Sequence, residues 1–416
     1  MRSVSRRRFL AGLAFGAGAV ALGGCASPPE SSSPSPAGQQ PTPTLAPPPS
    51  PSRASASPTQ APTATPTSTA TSERELRAMI GRLLVVGFRG STLSASPEIR
   101  DAIEAGNLGG VILFDRDQLT RGTRNITSPG QLAALTKALH AAAPGRLIVA
   151  VDEEGGRVAR LGPQDGFPAT ESEAALGERN DLAHTRTATG AMARTLASMA
   201  IGLNFAPVVD LNLNPRNPAI GALDRSFSAD PAVVVANASV EIEAHHAAGV
   251  KNAIKHFPGE GSATGNTDFG VVDVTATWSR KELDPFRSLV SAGLPDAVMV
   301  GHIVNRTLDR TYPAALSKAT VTGLLRGELG WSGAVASDDL QAAAITKAFG
   351  AQEAIERALV AGVDLLVFAN QQVYDGQIVA HTIDTIVGLV RARRVSENLI
   401  EAAAARVETL AAPVRG

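Results

Sequence analysis

The 416-residue sequence predicts an α/β fold: a TIM-like (β/α)8 barrel, one folded domain behind a disordered tether. Three observations carry this. Eight short apolar, β-branched runs recur between residues 83 and 370. Each is nearly continuous in apolar character, as strands buried on both faces are. The segments between them are long enough for helices, an alternation that implies a parallel sheet.

In chain order the runs are LLVVGF (83–88), GVILF (110–114), LIVAVD (147–152), NFAPVVDL (204–211), VKNAIKHF (250–257), AVMVGHIV (297–304), GAVASDD (333–339) and DLLVFAN (364–370). An open doubly wound sheet is the competing arrangement. No G-x-G-x-x-G follows the first run, so its usual dinucleotide site has no support. Among the connecting segments, 128–143 opens with a capping residue and a proline, as helix starts do. Segment 230–249 opens with Asp230-Pro231 and stops at Gly249. Segment 279–293 contains Pro285, where a bend or break is expected. Segment 396–412 reads as a terminal docking helix.

The chain begins differently. SRRRFL (Ser5 to Leu10) precedes an apolar run, Phe9 to Leu22, too short for a mature spanning helix. With its basic front, residues 1–24 read as an export signal of twin-arginine type. LGGC ends in Cys25, the chain's one cysteine, placed as in a lipobox, where it would be lipidated and held to a membrane. Residues 26–72 hold 13 of the 27 prolines and two charged side chains, Glu30 and Arg53. Such a segment cannot bury enough apolar surface to offset its ordering entropy. With Cys25 it forms the expected linker, 25–72, spanning on the order of 40 Å as a flexible coil. The folded domain is therefore expected over 73–416, on a protein facing the cell envelope.

That domain carries 33 basic and 38 acidic residues, which argues against a nucleic-acid partner. Barrels of this kind place their site at the carboxyl ends of the strands. Those ends carry Asp152, Glu153, Glu154, Arg157 and Arg160; then Asp210, Asp224 and Arg225; then Lys255 and His256; then His302; then Asp338 and Asp339. An acid-rich pocket that also holds Lys, His and Arg suits a neutral polyol, and two carboxyls across a glycosidic bond perform retaining glycoside hydrolysis. A metal is not expected: the seven histidines are scattered, His245 and His246 point apart on one helix, and H-E-x-x-H is missing. No cofactor is expected either.

The pieces VDEEGGRVARL, NFAPVVDLN, IGALDRSF, IKHFPGEG, VMVGHIV and GAVASDDL occur in this order from about residue 76 to 412. In them the chain resembles glycoside hydrolase family 3, and most closely its single-domain β-N-acetylglucosaminidase branch. The resemblance implies a TIM-like barrel, a carbohydrate substrate and release of terminal β-linked N-acetylglucosamine. It implies Asp338 as the nucleophile, and Asp152, Arg160, Arg225, Lys255 and His256 as sugar contacts. In the acid/base loop this chain departs from the branch, which has K-H-F-P-G-H-G and then D-S-H. Here Glu260 replaces the histidine of P-G-H-G, Asn266 the aspartate and Asp268 the acid/base histidine. A protonated Asp268 beside a neutral Asn266 keeps the pair net neutral, as an aspartate beside a histidinium would. Asp268 is thus the expected acid/base, with Asn266 orienting it, Glu260 the alternative acid and His302 a possible support. Its pKa should be raised by the charge on Asp338 and by desolvation under the loop. Glycines 259, 261, 265 and 270 suggest a mobile, closing loop. A phosphorylase and a non-catalytic glycan-binding protein are the alternatives.

Overall fold

The computed structural model describes residues 71–414. The signal expected over 1–24, Cys25, and all of the linker but Thr71 and Ser72 lie outside the described residues. Ser72 caps the first described helix, Glu73–Arg82.

All eight apolar runs form parallel strands: β1 (Leu84–Gly87), β2 (Gly110–Ile112), β3 (Ile148–Val151), β4 (Leu203–Asn204), β5 (Lys251–Phe257), β6 (Ala297–Val300), β7 (Ala334–Ser337) and β8 (Leu366–Phe368). They neighbour one another in chain order, with β8 beside β1. The Ala336–Leu365 bridge joins β7 to the start of β8 and completes the ring. A closed ring with neighbours in sequence order excludes the doubly wound sheet.

Alternation along each strand explains the continuous apolar runs. Val85, Ile112, Ile148, Ala150, Ala253, Ala297, Ala334, Ala336 and Val367 fill the barrel interior. Leu84, Val86, Val111, Val149, Ile254, Val298, Val335 and Leu366 pack outward against the helices. Both sets are buried, so neither face needs polar residues.

The helices follow their sequence signals. Ser128 accepts from Gln131 N ahead of Pro129–Ala142, and Asp230 from Ala232 N ahead of Pro231–Ala247. The expected break at Pro285 is real: a 3-10 turn, Arg280–Leu283, gives way to the helix Asp284–Ser291, with the proline in its first turn. The terminal helix Glu397–Ala411 docks as expected, and its Val407 and Leu410 join the interior cluster. Because it follows the helix that descends from β8, it closes the amino-terminal end of the barrel. The opposite end stays open for loops.

Candidate active site

The carboxyl ends of the strands surround a cavity of about 200 Å³. Asp152, Arg160, Arg225, Lys255, His256, Glu260, Asn266, Asp268 and Asp338 all line it. His302 does not, and neither do the strand-end residues Glu153, Arg157, Asp210 and Asp224.

One wall is built of matched charges. Lys255 Nζ lies 2.7 Å from both Asp152 and Glu154. Arg225 meets Glu154 through two hydrogen bonds of 2.6 and 2.8 Å, a bidentate fork. Burial would raise the pKa of Glu154, but Arg225 and Lys255 outweigh it and hold the carboxyl far below its usual range. His256 Nδ1 stands 2.7 Å from Asp210 Oδ2, and the Arg225 guanidinium donates toward its Nε2 at 3.3 Å. Asp210 also accepts from the backbone N–H groups of His256 and Glu260. Arg160 reaches Asp152 only at 3.7 Å and lies 5.5 Å from the Phe114 ring. Its buried Nε has no hydrogen-bond partner, and the side chain lines the cavity.

The opposite side holds carboxyls without cations. Asp338 follows β7 directly; its N–H donates to Val300 O at 2.9 Å, and its Oδ1 accepts from Asp339 N at 2.7 Å. Burial opposes its ionisation, but the imidazoles of His302 and His256, the Asp339 N–H and the Lys255 ammonium prevail, and its pKa sits below the ordinary value. Asp268 comes from the long loop after β5. Desolvation first, then the charge of Asp338, push its pKa up to about 6. These are the two causes the sequence suggested.

The loop is docked rather than loose. Ala343 N donates to Asp268 O and Ala344 N to Thr267 O, both at 3.1 Å, which ties the loop to the segment after Asp338. Two of its glycines are structural. Gly259 has φ +109°, and a Cβ on Gly261 would meet Leu211 O at 1.7 Å.

One expectation is corrected. Asn266 does not hold the Asp268 carboxyl; its Oδ1 accepts from the Asp268 backbone N–H at 2.8 Å, so it sets the loop's main chain. His302 is fully buried and does not line the cavity; its Nε2 donates to Asp339 O at 2.9 Å, and its imidazole helps to hold the Asp338 carboxyl ionised. The Asp339 carboxyl accepts from Gln341 N and Ala369 N and links β7 to β8.

Glu260 also faces the cavity, but from its floor. Its Oε1 accepts from His302 N at 3.3 Å and fills the space a Cβ on Gly301 would need. Burial first, then Asp210 and Asp338, raise its pKa to about 8 against the pull of His256. Glu154 and Asp210 were legible as strand-end acids, but not as the anchors of Arg225, Lys255 and His256. Gln118, Gln371 and Gln372, from the loops after β2 and β8, carried no recognisable signal.

A barrel with a sugar-sized cavity lined by two carboxyls that make no ion pair fits a glycoside hydrolase. The family model described as "Glycosyl hydrolase family 3 N terminal domain" matches residues 75–410, and the chain belongs to that family. A β-hexosaminidase of Tolumonas auensis is 37% identical over 294 residues, covering 70% of this chain and 83% of its own. β-Hexosaminidase A of Pseudoalteromonas piscicida is 33% identical, but the alignment covers 67% of this chain and only 48% of that protein. The solved β-N-acetylhexosaminidase of Beutenbergia cavernae superposes with a TM-score of 0.71 at 32% identity, over 80% of this chain and 97% of that one.

Proposed function

We propose that the protein is a retaining exo-glycosidase that removes terminal β-linked N-acetylglucosamine, with Asp338 as nucleophile and Asp268 as acid/base. One observation carries this reading. The two carboxyls line the same cavity with pKa values displaced in opposite directions. That is the division of labour between an ionised and a protonated carboxyl in double displacement. The hexosaminidase relatives support the choice of sugar.

In the first step the Asp338 carboxylate attacks the anomeric carbon and the bond to the leaving oxygen breaks. That oxygen takes the Asp268 proton. In the second step the Asp268 carboxylate accepts a proton from water, whose oxygen attacks the same carbon and displaces Asp338. Glu260 is the poorer acid despite its raised pKa, because it is held on the floor against His302 N, while Asp268 is partly exposed on a loop over the cavity. Arg160, Arg225, Lys255, His256 and Asp152 supply donors and acceptors to ring hydroxyls and the acetamide.

We place this activity on cell-wall glycans, at the outer side of a membrane to which lipidated Cys25 holds the chain. Two measurements test the proposal. A panel of chromogenic β-glycosides, with and without phosphate, should show N-acetylglucosaminide turnover independent of phosphate. Phosphate-dependent turnover would make it a phosphorylase, and failure to trap a 2-fluoro sugar on Asp338 would leave only glycan binding. For the anchor, Cys25→Ala should release the protein from the membrane fraction; unchanged membrane retention would refute lipidation.

A further inference from the structure

The cavity is smaller than the roughly 300–1,000 Å³ usual for small-molecule sites, room for one sugar ring rather than a chain. The rest of a glycan must therefore lie outside it. The surface it would meet has an unusual composition. Among the described residues, the four most exposed large apolar side chains are Phe269, Val271, Leu119 and Val373. All four stand on loops at the carboxyl ends of the strands. Three directly follow a cavity-lining residue: Leu119 follows Gln118, Phe269 follows Asp268 and Val373 follows Gln372. Scattered apolar residues on a surface need no explanation, but concentration around one opening marks a binding surface.

Phe269 stands out. It is 69% exposed and the only aromatic among the exposed large apolar residues described. Its backbone is nonetheless pinned: the N–H donates to Asn266 O at 3.1 Å, and its carbonyl accepts from Lys347 Nζ at 3.3 Å. The loops bearing Leu119 and Val373 are fastened together, Gln118 N donating to Gln371 Oε1 and Gln371 Nε2 to Arg116 O, each at 2.9 Å. A backbone fixed in this way holds the ring's attachment point beside the opening, so binding need not pay to order the loop.

We propose that Phe269 is the platform of a leaving-group subsite, which stacks on the apolar face of the second sugar of a β-linked N-acetylhexosamine chain. This rests on Asp268 being the acid. The group that protonates the glycosidic oxygen stands at the junction of the two sugars, and the next residue outward faces the departing one. Leu119 and Val373 form the apolar edge across the mouth.

The test measures binding without turnover. Thio-linked N,N′-diacetylchitobiose and N-acetylglucosamine are titrated calorimetrically into the protein and its Phe269→Ala and Phe269→Tyr variants. In the unmodified protein the disaccharide should bind about tenfold tighter than the monosaccharide, the scale of one aromatic contact. Phe269→Ala should abolish that advantage and leave monosaccharide affinity within about twofold, while Phe269→Tyr retains both. A disaccharide advantage that survives Phe269→Ala, or an equal loss for both sugars, overturns the platform alone. If neither sugar binds the unmodified protein, the glycosidase reading falls and the platform with it.

Discussion

The wall formed after β3, β4 and β5 and the side formed by β7 and the β5 loop contain the same kind of side chain in opposite states. On the wall, Glu154 is enclosed by Arg225 and Lys255 and is ionised at any physiological pH. On the other side, Asp268 and Glu260 have no cation in hydrogen-bond contact, and burial drives their pKa values up to about 6 and about 8. Burial acts on all of them alike. The partner decides which carboxyl holds a proton, so the wall is suited to gripping a neutral sugar and the opposite side to moving protons.

The contrast can be broken at its reactive end first. Asp338→Ala should lower kcat by roughly 10⁴–10⁶, with no glycosyl-enzyme detectable by mass spectrometry. Asp268→Ala should cost roughly 10²–10⁴ on glycosides with poor leaving groups and little on activated aryl glycosides. Equal losses on both would remove Asp268 from the acid role. The same residue sets a pH limb. A general acid works protonated, so kcat/KM should fall as pH rises through about 6, and Asp268→Ala should erase that fall on activated substrates. The acid limb, where Asp338 gains a proton, should lie below the ordinary carboxylate range.

On the paired wall the effect should appear in stability. Lys255→Met leaves Asp152 without its closest cation and Glu154 with Arg225 alone, and should cost about 3–5 kcal/mol in denaturant unfolding. A smaller effect sharpens the comparison from behind the wall. Glu241 is fully buried, neither of its oxygens has a partner, and burial raises its pKa from 4.5 to about 8. The folded state then holds a proton that the unfolded state loses, so this contribution is present below pH 4.5 and lost as pH rises through about 8. Glu241→Gln should leave stability near pH 5 unchanged and raise it by about 1–3 kcal/mol at pH 9. Parallel stability–pH curves for the two proteins would refute the assignment.

The comparison also shows where sequence reasoning stops. The strand ends displayed Asp338, Lys255 and His256 because each sits at a fixed offset from an apolar run. Glu154 was visible in the same way, but its role depends on Arg225, 71 residues away, and on Lys255. Asn266 sits two residues from Asp268, yet acts on its backbone rather than its carboxyl, a choice made by the loop's turn. His302 shares the strand-end position of the working residues, but its ring is fully buried and outside the cavity lining. Gln118 and Gln372 reach the cavity from irregular loops, where no periodicity marks a side chain's direction.

What the sequence determined by itself was the barrel, its strand order and the end that carries chemistry, since these follow from local apolar patterning and from the short reach of each connection. The tertiary structure alone decided which acids meet a cation and which do not. That depends on distances such as the 2.7 Å between Lys255 and Asp152, residues 103 positions apart, and on how much water remains around each group. Electrostatic energies follow separation and solvation in space, and neither is written in the linear order of residues.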